Sequence, residues 1–205
     1  TEALFDVLEQ GTALVNYIGH GSAYQWAQEG LLSSARGDLA SINTGMKLPI
    51  WIAATCSWGR YDRVEGSAMS EDILRDAENG GVAIISTNGL ITFSANRNFI
   101  LNLFGSFFPE ESVSSLSLGA IYSSIKDGSA GSEMFHLFGD PGLTIALPSD
   151  TVTVSAVSPD TLVALETGSY SGTATADAPA QGEGFIVIYD ADRTVSRIYE
   201  HQDYE

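Results

Sequence analysis

Apolar residues fall along this chain in two alternating patterns. Residues 12–18 (TALVNYI), 49–55 (PIWIAAT) and 81–86 (GVAIIS) are short, nearly unbroken apolar runs. Such runs predict strands buried on both faces, as in a parallel sheet covered by helices. Around them, apolar residues recur at helical spacing. Residues 1–10 bring Ala3, Leu4, Val7 and Leu8 to one face before Gly11. A helix over 67–79 has Ser67 as its cap, Met69, Ile73, Leu74 and Ala77 inward, and Gly80 and Gly81 as its stop. Ser94 caps the next, with Phe99, Ile100, Leu103, Phe104 and Phe107 ahead of Pro109. A third sets Leu118, Ile121, Tyr122 and Ile125 on one face. Strands alternating with helices predict an α/β layered domain.

The alternation breaks at FHLFGDPGLTIAL, residues 135–147. Gly139, Asp140, Pro141 and Gly142 form a turn signature, and LTIAL reads as a closing strand. Beyond Pro148 the texture changes to period two in VTVSAV, with further strand-like runs at 173–175 and in FIVIYD. These predict the start of an immunoglobulin-like β-sandwich. The expected organisation is therefore an α/β domain over 1–148 and a partial β-domain over 149–205. The first residue is Thr1, not Met, so the chain reads as a piece of a longer protein.

Charge narrows the partners. The formal net charge is −17, and the lysines are Lys47 and Lys126. Such a surface repels phosphate backbones and anionic lipid, which excludes nucleic acid as a partner. No apolar stretch reaches the length of a membrane span. A single cysteine, Cys56, leaves neither an internal disulfide nor a thiolate metal cluster.

Two loops carry the candidate chemistry. Gly19-His20-Gly21-Ser22 follows the first buried strand, and Thr55-Cys56-Ser57 follows the second. In a parallel sheet, loops at the carboxyl ends of neighbouring strands share one edge. That would bring His20 to Cys56. A free thiol, with a pKa of about 8.5, is only partly thiolate at neutral pH, and a nearby imidazole can take its proton and pass one to a leaving amine. The glycines beside His20 suit close approach of a substrate carbonyl, with no packing need of their own. The backbone N–H groups of Gly21 and Cys56 are the candidate oxyanion donors.

VNYIGHGS, followed by Trp26, and then PIWIAATCSWGRYD resemble the gingipain-type cysteine peptidases of the caspase-like clan. EGSAMSEDILRDAENGGVAIISTNG and FHLFGDPGLTIALP resemble the family's next helix and strand and its closing segment. The resemblance covers about residues 11–148. It implies a caspase-like three-layer sandwich with a mostly parallel sheet, of which this chain holds the C-terminal part, and a β-sandwich after it. It makes His20 and Cys56 the catalytic pair. The family's acidic residues, one orienting the His and one in the specificity pocket, precede the His strand and are expected upstream of Thr1. A wall of that pocket falls near residues 87–93, which makes Asn88 and Phe93 substrate-cleft candidates. Trp58, just after Cys56, is a third.

Within the family, the chain most resembles the C-terminal signal peptidase, or sortase, of the type IX secretion system. That implies an extracellular or cell-surface, outer-membrane-associated enzyme that removes C-terminal secretion domains from exported polypeptides, with other outer-membrane components of that system as partners. No cofactor is required. Some gingipain-type enzymes carry structural calcium, but Glu65, Glu71 and Asp72 match no calcium-loop spacing. His136 and Asp140 lie four apart, yet Phe135, Leu137 and Phe138 mark a packed segment, with Asp140 serving its turn. The alternative function is a non-catalytic surface module that keeps the caspase-like fold for interaction or anchoring.

Overall fold

The two central strands of the α/β part are buried throughout because helices cover both sheet faces, and their side chains alternate between those faces with period two. The first strand, expected to be buried on both faces, lies at the sheet edge with Asn16 and Ile18 exposed. The computed structural model describes residues 2–108, 116–145, 151–158 and 169–175. In order they form α1 (Glu2–Gln10), β1 (Leu14–Ile18), β2 (Gly21–Ser22), β3 (Gln25–Trp26), β4 (Leu32–Ser33), β5 (Ile50–Ala54), α2 (Met69–Arg75), β6 (Ala83–Thr87), α3 (Phe93–Phe107), α4 (Leu118–Ser124), α5 (Ala130–Glu133), β7 (Phe135–Gly139), β8 (Thr151–Ser158) and β9 (Ser169–Thr175). The chain divides into two compact units, Thr1–Leu147 and Pro148–Glu205.

In the first unit a four-stranded sheet has the order β1-β5-β6-β7. β1, β5 and β6 are parallel, and β7 runs antiparallel to β6. Ile50, Ile52, Ala54, Ala83 and Ile85 face one core, with Phe99, Leu103 and Phe107 of α3 and Leu118 and Ile121 of α4. Trp51, Ala53 and Ile84 face the other, with Leu8 of α1 and Met69 and Ile73 of α2. This is the expected mixed α/β, three-layer arrangement with a mostly parallel sheet.

Several boundaries differ from expectation. The strand that closes the sheet is residues 135–139; of LTIAL, only residues 143–145 are described, and they form no strand of the sheet. Gly139, at φ 121°, ends β7, and the following segment crosses the start of α4: Leu118 and Gly119 N–H groups donate to the carbonyls of Leu143 and Pro141. Thr144 makes only an isolated bridge to Ser117. The helix expected over 67–79 stops at Arg75, because the Asp76 carboxylate accepts from the N–H groups of Glu78 and Asn79 and folds the chain into a turn. Its N-cap position is Ala68, whose N–H donates to Glu71 Oε2 at 2.8 Å. α3 is capped by Thr92 Oγ1 and not by Ser94. A small antiparallel sheet, β2-β3-β4, lies in what read as loop.

In the second unit, β8 and β9 form an antiparallel ladder with an irregularity between Val154 and Ala156. Pro109, the 149–150 boundary, FIVIYD and His201 lie outside the described residues.

Candidate active site

Ile18 of β1 lies opposite Ala54 of β5. The Gly19 N–H prolongs the ladder, donating to the Ala54 carbonyl at 3.3 Å. His20 and Cys56 each follow two residues beyond that last pair. Neighbouring strands lie about 4.8 Å apart, so the two loops leave the sheet side by side at its carboxyl edge.

The cysteine loop is held tightly. Ser57 has φ 57°, a left-handed conformation uncommon for a side-chain-bearing residue. This bends the chain sharply behind Cys56 and lays it along the end of β6. There the Ser57 N–H donates to the Gly89 carbonyl at 2.9 Å and the Gly59 N–H to that of Thr87 at 2.8 Å. Asn96, buried in the first turns of α3, donates through Nδ2 to the Ala54 carbonyl at 2.9 Å. Cys56 is a half-buried free thiol whose Sγ lies 3.7 Å from the Ile91 carbonyl.

The histidine loop is held by its backbone. His20 is exposed. Its carbonyl accepts from the Tyr17 hydroxyl and from the Ala27 N–H, each at 2.7 Å. Tyr17 stacks on Trp26 at 4.7 Å, and burial raises the pKa of its phenol. The neighbouring glycines do meet a packing demand, contrary to expectation. A Cβ at Gly19 would lie 2.5 Å from the Tyr17 hydroxyl oxygen, and one at Gly21 would lie 2.4 Å from Thr55 Oγ1. Gly21 thus allows the histidine loop to lie directly on the cysteine loop. A second tie runs behind the site, where the Met69 N–H donates to the Ala23 carbonyl at 2.8 Å and Arg63 stacks over Tyr24 at 4.6 Å.

The remaining candidates separate. Trp58 is 0% exposed and packs between Trp26 and Trp51, so it belongs to the core and cannot line a cleft. Asn88 is half-buried, with its N–H donating to the Met134 carbonyl. Phe93 is 72% exposed, and Leu90, which no motif singles out, is 82% exposed. Both flank Ile91, whose carbonyl faces the thiol. Tyr17, Ala27 and Ile91 also escape the sequence pattern. Tyr17 stands in full view within NYIGHG, while Ala27 and Ile91 act through their backbones and leave no side-chain signal.

His136 lies on β7, edge-on to Tyr61 at 5.4 Å, and burial lowers its pKa, with Lys126 adding to the effect. Asp140 accepts from the Gly142 N–H at 2.7 Å, as a turn residue. Among the described residues, no group of three or more His, Cys, Asp or Glu side chains could hold a metal ion.

The class this defines is a three-layer α/β domain that presents a thiol and an imidazole loop on one sheet edge. The chain belongs to peptidase family C25, whose model matches residues 1–146. Among solved structures it is similar to the Arg-specific cysteine proteinase gingipain R, with a TM-score of 0.60 at 19% identity, covering 75% of this chain and 38% of that one. It is similar also to a complex of the pro- and mature domains of RgpB from Porphyromonas gingivalis, with a TM-score of 0.60 at 20% identity over 75% of this chain and 39% of that one. The chain thus spans about two fifths of the length of these structures. No curated protein matches it.

Proposed function

We propose that this chain carries the catalytic residues of a cysteine endopeptidase, with Cys56 as nucleophile and His20 as general base and then acid. What carries the reading is the shared register of β1 and β5, which leads these two residues off adjacent strand ends. His20 takes the thiol proton as sulfur attacks the scissile carbonyl carbon. The oxyanion is met by the N–H groups of Cys56 and Gly21. Collapse of the tetrahedral intermediate breaks the C–N bond, His20 protonates the leaving amine, and a thioester remains. Water then releases the acid, or a second amine takes the acyl group. Asn88 and Phe93, with Leu90, are the cleft residues on the β6 side.

The narrower reading is a cell-surface, outer-membrane-associated signal peptidase or sortase. It would act on C-terminal secretion domains of exported polypeptides and work beside other components of the type IX system. It rests on the GHGS and TCSWGRYD loops. The β-domain over 149–205 belongs to this reading as an immunoglobulin-like module. No cofactor enters the chemistry.

The test is cargo processing by the protein that carries this chain. Cys56→Ala should abolish it and His20→Ala should reduce it by several orders of magnitude, while a thiol-directed probe labels Cys56 in the parent protein. Normal cargo processing by Cys56→Ala would sink the enzyme and leave the anchoring module as the reading.

A further inference from the structure

We propose that Tyr17 is the positioning residue for His20, its hydroxyl clasping the His20 carbonyl so that the imidazole is held over Cys56; the inference rests on the dyad reading above.

Three independent features converge on this carbonyl. The Tyr17 hydroxyl donates to it at 2.7 Å, and the Ala27 N–H donates to it at the same distance. Ala27 holds φ 57°, a conformation an alanine adopts only at some cost. Thirdly, the ring of Tyr17 is itself immobilised. It lies parallel to Trp26, at 8° and 4.7 Å, and Trp26 is 2% exposed against Trp51 and Trp58.

The clasp also accounts for a glycine. A methyl group at Gly19 would occupy the place of the Tyr17 hydroxyl, 2.5 Å from its oxygen. Gly19 has no left-handed backbone to explain its identity. What it provides is room for the hydroxyl to reach across to His20. An exposed loop histidine would otherwise sample many orientations, and catalysis by an imidazole needs one. Raised by burial, the Tyr17 phenol remains a donor throughout the neutral range.

The experiment follows the second-order rate of Cys56 alkylation by iodoacetamide at neutral pH, in the protein that carries this chain, with thermal melting to verify folding. His20→Ala should slow the reaction, because the thiolate loses its partner. Tyr17→Phe keeps the stacked ring and removes only the hydroxyl. It should slow alkylation about tenfold, and lower kcat for peptide hydrolysis with KM unchanged. In the His20→Ala background, Tyr17→Phe should have no further effect, because it acts only through His20. Gly19→Ala gives a second route to the same result where Tyr17→Phe folds poorly.

Wild-type reactivity of folded Tyr17→Phe, or the same slowing with and without His20, overturns the clasp alone. Unchanged alkylation in His20→Ala overturns the dyad reading and the clasp with it.

Discussion

Gly21 shows how much of this site depends on a missing side chain. Its α-carbon faces Thr55 so closely that a methyl group there would overlap Thr55 Oγ1. Gly21→Ala must therefore push the histidine loop away from the cysteine loop. Peptide hydrolysis should fall on the order of 10²-fold, the usual result of a misplacement near 1 Å, with a far smaller change in melting temperature. Comparison of kcat/KM and melting for the two proteins checks this. At this scale the sequence was legible where chemistry and position coincide. The apolar runs ahead of His20 and Cys56 are the neighbouring parallel strands β1 and β5, as their pattern implied. Trp58 was not legible, since an aromatic side chain just past Cys56 reads the same whether it lines a cleft or fills a core. Only the packing of Trp26 and Trp51 around it decides.

At the scale of elements, the joint between α4, α5 and β7 is fastened at one carbonyl. The Tyr122 hydroxyl donates to the Phe135 carbonyl at 2.6 Å, and Lys126 Nζ donates to it at 3.0 Å. Burial pushes the Tyr122 phenol up to about 12. Its neutral form is thus the one the fold prefers. The stability this contributes is complete below the ordinary tyrosine value of about 10 and is lost as pH rises toward the folded value. Tyr122→Phe should cost about 1 kcal/mol at neutral pH and flatten the loss of stability between pH about 10 and about 12. Denaturant titrations across that range measure both effects. Elements with a full apolar period were legible: α1, the three parallel strands, α3 and α4. The two-residue strands of the 21–33 sheet have no period to detect. α2 ended early because a carboxylate at Asp76 overruled an apolar repeat that runs on to Ala77. FHLFG and LTIAL are both short apolar runs, and the pattern alone could not tell that FHLFG pairs with β6 and ends at Gly139.

For the whole molecule, net charge governs how stability responds to salt. A net −17 over 205 residues makes the folded surface repel itself. Added salt screens that repulsion over a Debye length of about 8 Å at physiological ionic strength. The melting temperature should therefore rise by a few degrees between about 0.01 M and about 0.15 M sodium chloride, and calorimetry at the two concentrations tests it. A flat or falling response would mean that specific ion pairs outweigh the net field.

The sheet that separates the two cores also separates their aromatic residues. Trp26, Trp51 and Trp58 are all the tryptophans of the chain, and all three pack on the α1–α2 side. The α3–α4 side is filled by Phe99, Phe107 and Phe135. Intrinsic fluorescence excited at the indole band is consequently a one-sided optical report. It follows the half of the domain that braces the histidine loop, and it is dark to any loosening of the half behind Cys56.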